Sequence, residues 1–405
     1  MRLLIVTPGR LPIPAVEGGA VETLIQQILD YNEHFLHHEI YVAAIYHSEA
    51  VQRSRDYRYT HFCYLKMGRA FSLATKKHLL PYRMLDRLFA KKAVKQLRKT
   101  DNRFDYIVIE NETVIGSVFL RYLEGSYIFH AHNNLAVPIR RKEQQFLQSC
   151  LGIIAISQYL ENVIRGSIKP PFIGTVYNGI DINLFNRKAH CKNGIRIRER
   201  LGINKEETVI LFAGRIIPEK GLEELLKAFA MLPETMPVTL LVLGASFFAE
   251  SGENTYIKKL KSLGEKKKDK IVFCGYVEHS AMPDYYSAAD IGCIPSIWEE
   301  PFGLAVAEQM AMQLPVITTE SGAITEIADK SCGFVFPRDK DLSRNIADAV
   351  ITLHEDKALR QKMGTAGRKI VCQHFSQQSY CENWFKMLEK MKGQGKKLSE
   401  KKIER

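Results

Sequence analysis

Short apolar runs, each closed by glycine, proline or a small polar residue, alternate along this chain with longer stretches whose apolar positions fall at helical spacing. Runs at 3–7, 40–45, 106–109, 127–129, 152–156 and 173–177 read as buried strands. A polar, charged stretch at 187–205 interrupts the pattern, which restarts at 209–213 and continues at 238–243, 271–273, 290–295 and 315–319. Helical spacing closes the chain over 341–354, 358–374 and 377–391. Strands alternating with helices predict α/β architecture, parallel sheets with helices on both faces. The interruption predicts two domains, 1–186 and 187–374, followed by a final helix and basic tail over 375–405.

Composition narrows the class. At 405 residues, 46% hydrophobic and 25% charged, the chain is that of a soluble globular protein with two cores. It has no run of eighteen apolar residues, and its N-terminus enters a strand directly, with no signal peptide, so a cytoplasmic location is expected. Eight scattered cysteines without a Cys-x-x-Cys pair indicate neither a zinc knuckle nor a disulfide framework. The formal charge of +12 points to an anionic partner. Much of it lies in the segment that opens at Lys66 and closes at Arg103, where twelve Lys or Arg face only Asp86 and Asp101. Phe71, Leu73, Leu79, Leu80, Met84, Leu85, Leu88 and Phe89 are interleaved with them. This basic amphipathic pattern suits an anionic membrane surface, such as the inner face of the cell membrane, or an acidic acceptor, and equally a solvated helix covering the sheet; it does not suit base readout, and no nucleic-acid partner is expected.

Ligands of parallel sheets gather at the C-terminal ends of strands, and several such ends carry chemistry here. Gly18-Gly19 opens a helix after the first strand, where backbone can approach a ligand closely. Glu110-Asn111 and His130-Ala131-His132-Asn133 follow two strands, and histidines at i and i+2 share one face, as a metal ligand pair or a general base requires. No further ligand stands at metal spacing, so zinc is set aside. Asn178-Gly179 is a turn signal at the end of the first half. In Gly214-Arg215-Ile216-Ile217-Pro218-Glu219-Lys220-Gly221, a guanidinium fork and a point charge flank a strand-to-helix turn and suit a diphosphate. Gly244 and Gly275-Tyr276-Val277 end two further strands. Glu300-Pro301-Phe302-Gly303-Leu304 turns a strand into a helix whose first amides attract anions and hydroxyls, and Glu308 lies eight residues beyond Glu300, on nearly the same helical face.

The spacing from Glu300 to Glu308 with Pro-Phe-Gly between, together with Gly18-Gly19, Asn178-Gly179, Arg215 and Lys220, resembles the signature of retaining glycosyltransferases of family 4 over nearly the whole chain. The resemblance implies a GT-B fold: two Rossmann-like domains facing each other across a cleft, with the last helix crossing back to the first. It implies transfer of a sugar from a nucleotide diphosphate, with uridine as the default base, to an acceptor hydroxyl with retained configuration. Catalytic roles then fall on His132, Arg215, Lys220 and Glu300. Donor contacts fall on Gly18, Gly19, Arg215, Lys220, Gly244, Tyr276, Val277, Glu300, Phe302, Gly303, Leu304 and Glu308. Glu110, His130 and Asn133 belong to the acceptor side, with His130 the alternative to His132. No Asp-x-Asp follows a suitable strand, so neither a metal at the diphosphate nor any other cofactor is expected. Ser321-Gly322-Ala323 and Ala245-Ser246 depart from the family pattern and bear on the base and sugar preference. The expected acceptor is a glycan or a lipid-linked intermediate of cell-surface polysaccharide or lipopolysaccharide; the alternative is a non-catalytic partner subunit that binds a glycan or another transferase.

Overall fold

A computed structural model describes residues 1–68, 71, 79–99, 103–135, 139–245 and 255–403, with backbone alone at 266 and 394–403. Arg69, Leu73, Lys76, Lys77, Asp101 and Ser246 of the sequence reading lie outside the described residues. The chain divides into two compact units, Met1–Tyr177 with Tyr380–Arg405, and Asn178–Ser379.

The first unit is built on a seven-stranded sheet of β1 Arg2–Val6, β2 Glu39–Ile45, β3 Thr60–Leu65, β4 Tyr106–Glu110, β5 Tyr127–Ala131, β6 Gly152–Ala155 and β7 Ile173–Thr175. Their spatial order is β3-β2-β1-β4-β5-β6-β7, with every pairing parallel. Leu3, Leu4, Ile5 and Val6 are all fully buried, because helices cover both faces of the central strand. One face receives the Ala20–Tyr31 helix and the end of the chain: Tyr380, Trp384, Phe385 and Leu388 of the Gln377–Ile403 helix pack on Leu3, Ile5, Val108 and Ile128. Fully burying aromatic and leucine side chains stabilises by about 1.5–3 kcal/mol each, which holds this late segment to the first strands of the chain. The order reverses direction between β1 and β4, where neighbouring crossovers leave in opposite senses and open a crevice at the strand ends.

The second unit repeats the plan. Its six strands are β8 Thr208–Ala213, β9 Val238–Leu243, β10 Ile271–Gly275, β11 Ile291–Ile294, β12 Val316–Thr319 and β13 Gly333–Phe336, in the order β10-β9-β8-β11-β12-β13, all parallel. The switch falls between β8 and β11. The boundary differs from the one composition suggests. The chain enters this unit at Asn178, and the polar stretch at 187 is no linker but a helix, Arg187–Arg200, packed on the unit. Its charges serve the packing: Arg187 donates to the Ala289 carbonyl at 2.6 Å, and Arg198 donates to the Ala288 carbonyl at 2.7 Å and pairs with Asp290 at 2.5 Å. No helix among the described residues is long and apolar enough to cross a membrane.

Candidate active site

In the second unit, the ends of β8 and β11 bring the diphosphate and hydroxyl motifs together. Arg215 follows β8, exposed and without an ion-pair partner among the described residues. The chain then turns through Pro218–Lys220 to Gly221, which has φ 72° and caps the Leu222–Met231 helix. A Cβ on Gly221 would stand 1.8 Å from the Pro295 carbonyl oxygen, so only glycine lets this turn close onto the end of β11. That approach sets Lys220 Nζ 2.6 Å from Glu300 Oε1, an oxygen that also accepts from Ser296 Oγ at 2.6 Å. Glu300 is 5% exposed, and its backbone carbonyl accepts from the Ala323 amide, which fixes the turn from the other side. Thr319 Oγ1 donates to the Ser296 carbonyl at 2.5 Å and steadies the strand end. Gly303 caps the Leu304–Ala311 helix, whose first amides remain available to an anion. The Phe302 side chain is 2% exposed and meets Phe375 edge-on, which leaves its backbone to face a ligand.

Glu308, inside that helix, is held at both oxygens. His279 Nε2 reaches Oε1 and the Tyr286 hydroxyl reaches Oε2, each at 3.0 Å, and a carboxylate being acceptor-only, both partners donate. Burial disfavours a charge on His279, but the hydrogen bond and charge of Glu308 outweigh it and raise its pKa above the ordinary value. Neither partner was evident from sequence, since His279 and Tyr286 sit on a different segment with no motif around them. Gly244 ends β9, its amide bonded to the Gly275 carbonyl at 2.8 Å, and Tyr276, 37% exposed, leads with Val277 away from β10.

In the first unit, Gly18 and Gly19 both have positive φ, 73° and 97°, and Gly19 caps the Ala20–Tyr31 helix. A Cβ on Gly19 would meet Glu22 Oε2 at 2.3 Å. Burial pushes the Glu22 carboxyl up from 4.5 to about 7, against the lowering pull of its own backbone amide and of Arg10. Between those values the unfolded chain has lost a proton that the folded chain still holds, so stability falls as pH rises through this window, by about 3 kcal/mol in all. Glu22→Gln removes that loss. Its melting temperature is expected to match the wild type near pH 5 and to exceed it at pH 8, as thermal melts at the two values would show.

At the ends of β4 and β5, Glu110 Oε2 stands 2.7 Å from His132 Nε2 and 3.0 Å from His130 Nδ1, and all three residues are buried. Burial alone would raise Glu110; the two histidines outweigh it and hold the carboxyl well below the usual range. Burial, then His130, lowers His132 to about 4, so its ring is neutral at physiological pH. Asn111 Oδ1 accepts from the His132 amide at 3.2 Å, and Asn133 is exposed beyond the strand. Among the described residues of this unit, Glu110, His130 and His132 stand close enough for a cation to be held between them. A second network that no motif announces centres on the buried Asp86: Arg10, partly exposed, pairs with it at 3.1 Å and with Glu112 at 2.9 Å. Burial and the Glu112 charge push Asp86 up to about 7 despite Arg10.

The basic helix Tyr82–Leu97 turns Leu85, Phe89, Ala93 and Leu97 inward. Its outer face carries Arg87, Lys91, Lys92 and Lys95 together with the exposed Met84 and Leu88.

Residues 195–370 match the model of the glycosyl transferases group 1 family. Among known relatives, spore coat protein SA of Bacillus subtilis is 24% identical over 403 residues, covering 96% of this chain and all of that protein. The lipopolysaccharide 1,2-N-acetylglucosaminetransferase of Salmonella typhimurium is 26% identical over 328 residues, 78% of this chain and 83% of its own. The crystal structure of Anabaena HepE in complex with UDP and glucose superposes with a TM-score of 0.73 at 20% identity, covering 96% of this chain and 99% of that one, a likeness that shows the shared two-domain GT-B fold. The match to the group 1 glycosyltransferases thus takes in most of the second unit, residues 195–370.

Proposed function

We propose that this chain moves a sugar from a nucleotide diphosphate sugar, with uridine diphosphate as carrier, to the hydroxyl of a glycan or lipid-linked acceptor, retaining the anomeric configuration. The observation that carries this reading is the meeting of Lys220 and Glu300 at the ends of β8 and β11, with Arg215 five residues before Lys220 on the same strand-to-helix connection. A donor of this class needs both halves of that arrangement. Its diphosphate calls for a cationic clamp that strengthens as the leaving nucleotide gains charge. Its sugar hydroxyls call for a carboxylate held in one orientation, which the Ser296 and Lys220 bonds to Glu300 supply. Glu308, oriented by His279 and Tyr286, is assigned to the ribose hydroxyls, and the amides at Gly303 and Leu304 to phosphate or sugar oxygens. Arg215, Lys220 and the helix N-terminus do the work that a divalent metal does at the diphosphate in other transferases. His132, His130, Glu110 and Asn133 are assigned to the acceptor side.

The names of two similar proteins favour the same substrates: the Anabaena structure holds UDP and glucose, and the Salmonella relative is named for lipopolysaccharide. Incubation with a panel of nucleotide sugars and candidate acceptors tests the reaction, with the anomeric configuration of the product read by NMR. An inverted product would reject retention while leaving transfer standing.

The outer face of the Tyr82–Leu97 helix supports a peripheral position on an anionic membrane, where a lipid-linked acceptor would be met. Each cationic side chain near such a surface contributes on the order of 1 kcal/mol. Reversing Lys91, Lys92 and Lys95 to glutamate is therefore expected to weaken binding to anionic vesicles by at least about tenfold, measured by co-sedimentation. Unchanged binding would reject the membrane position.

A further inference from the structure

Strands β4 and β5 pair with Glu110 beside His130, and residues two apart on a strand share a face, so this register sets Glu110, His130 and His132 side by side. Their ligand atoms all lie within 4.8 Å of one another. Hydrogen bonding leaves much of the group unused. Glu110 Oε1 and both ring nitrogens of His130 are buried with no hydrogen-bond partner among the described residues; His130 Nδ1, though 3.0 Å from Glu110 Oε2, is poorly aligned with it. Buried polar atoms are almost always satisfied, so unpaired atoms gathered at one point mark a place where a further ligand belongs.

Two imidazoles and a carboxylate on a rigid pair of strands form a ligand set that suits a first-row transition dication, and zinc accepts it in tetrahedral geometry. We propose that Glu110, His130 and His132 bind one zinc ion, with a solvent oxygen in the fourth position. Zinc–ligand distances of about 2.0–2.2 Å at tetrahedral angles separate ligand atoms by roughly 3.3 Å, so the contacts at 2.7 and 3.0 Å need open only slightly. The site involves none of Arg215, Lys220 and Glu300. Its effect is to lock the ends of β4 and β5 together and to fix the His132 ring.

The test is metal analysis of the full chain. Purified protein is incubated with zinc sulfate, freed of excess metal by gel filtration and assayed by mass spectrometry; a parallel sample receives cobalt(II) and is read by its visible absorption. One zinc per chain and a cobalt band typical of mixed nitrogen and oxygen ligation are expected. Glu110→Gln and His130→Gln should each weaken zinc binding by roughly ten- to hundredfold, as loss of a ligand does at least as severely as loss of its support. His279→Asn, at a histidine of the other unit, should leave binding unchanged. Wild-type protein that retains no zinc overturns the proposal, as does zinc retained equally by both site variants, which would locate it at other groups. Should a variant fail to fold, the wild-type stoichiometry and cobalt spectrum still decide. Donor binding by the second unit does not depend on this outcome.

Discussion

Glu300→Gln is expected to lower kcat/KM for sugar transfer by roughly two to three orders of magnitude while leaving the fold intact. The substitution keeps the shape of a side chain that is 5% exposed and accepts from Lys220 and Ser296 at one oxygen. It removes the charge. An amide can still accept one of those bonds, so the turn survives, and the backbone bond from Ala323 to the Glu300 carbonyl does not involve the side chain. What is lost is a carboxylate oriented to take donor hydroxyls, along with the charge that positions Lys220. Steady-state kinetics beside circular dichroism separates the two effects, and a folded variant with near-wild-type turnover would remove Glu300 from the mechanism.

The second large effect is expected at the two cations, and here kinetics and stability should part company. Lys220→Met and Arg215→Ala should each reduce kcat by roughly a hundredfold or more, since each removes a charge that stabilises the leaving diphosphate. Their structural settings differ. Lys220 is the cationic partner of a buried carboxylate, and its loss leaves Glu300 uncompensated at a cost of about 1–3 kcal/mol. Arg215 is exposed and has no ion-pair partner among the described residues, so its removal should leave the melting temperature where it was. Equal melting of the two variants would contradict the pairing, and wild-type kcat in either would contradict the clamp.

The central strands were legible because burial on both faces leaves an uninterrupted apolar run, as in Leu3 to Val6 of β1 or the fully buried β8 and β9. The edge strands β3 and β13 were missed for the converse reason. Half-exposed, they read as Thr-His-Phe-Cys-Tyr-Leu and Gly-Phe-Val-Phe, too mixed or too short to stand out from a loop. The Arg187–Arg200 helix was read as a boundary because its charges face carbonyls of the same unit, a destination that composition does not reveal. At the site, residues within one motif were visible, and partners supplied across the sheet were not. Lys220 and Glu300 stood in separate motifs, and nothing local showed that Gly221 lets one touch the other. Glu110 and His130 belong together only through the register of β4 on β5. His279 and Tyr286, which orient Glu308, carry no signature at all, because their role depends on burial and direction alone.

The central claim is that the second unit holds a nucleotide diphosphate sugar through Arg215, Lys220, Glu300 and Glu308. Its most direct test is calorimetric titration of the full chain with UDP and with a panel of UDP-, GDP- and ADP-sugars, repeated on Lys220→Met. The account predicts saturable binding of one sugar nucleotide in preference to the rest, tighter than its free nucleoside monophosphate, and lost or weakened by roughly tenfold or more in the variant. Folded wild-type protein that binds no member of the panel, or binds one equally well without Lys220, would contradict it.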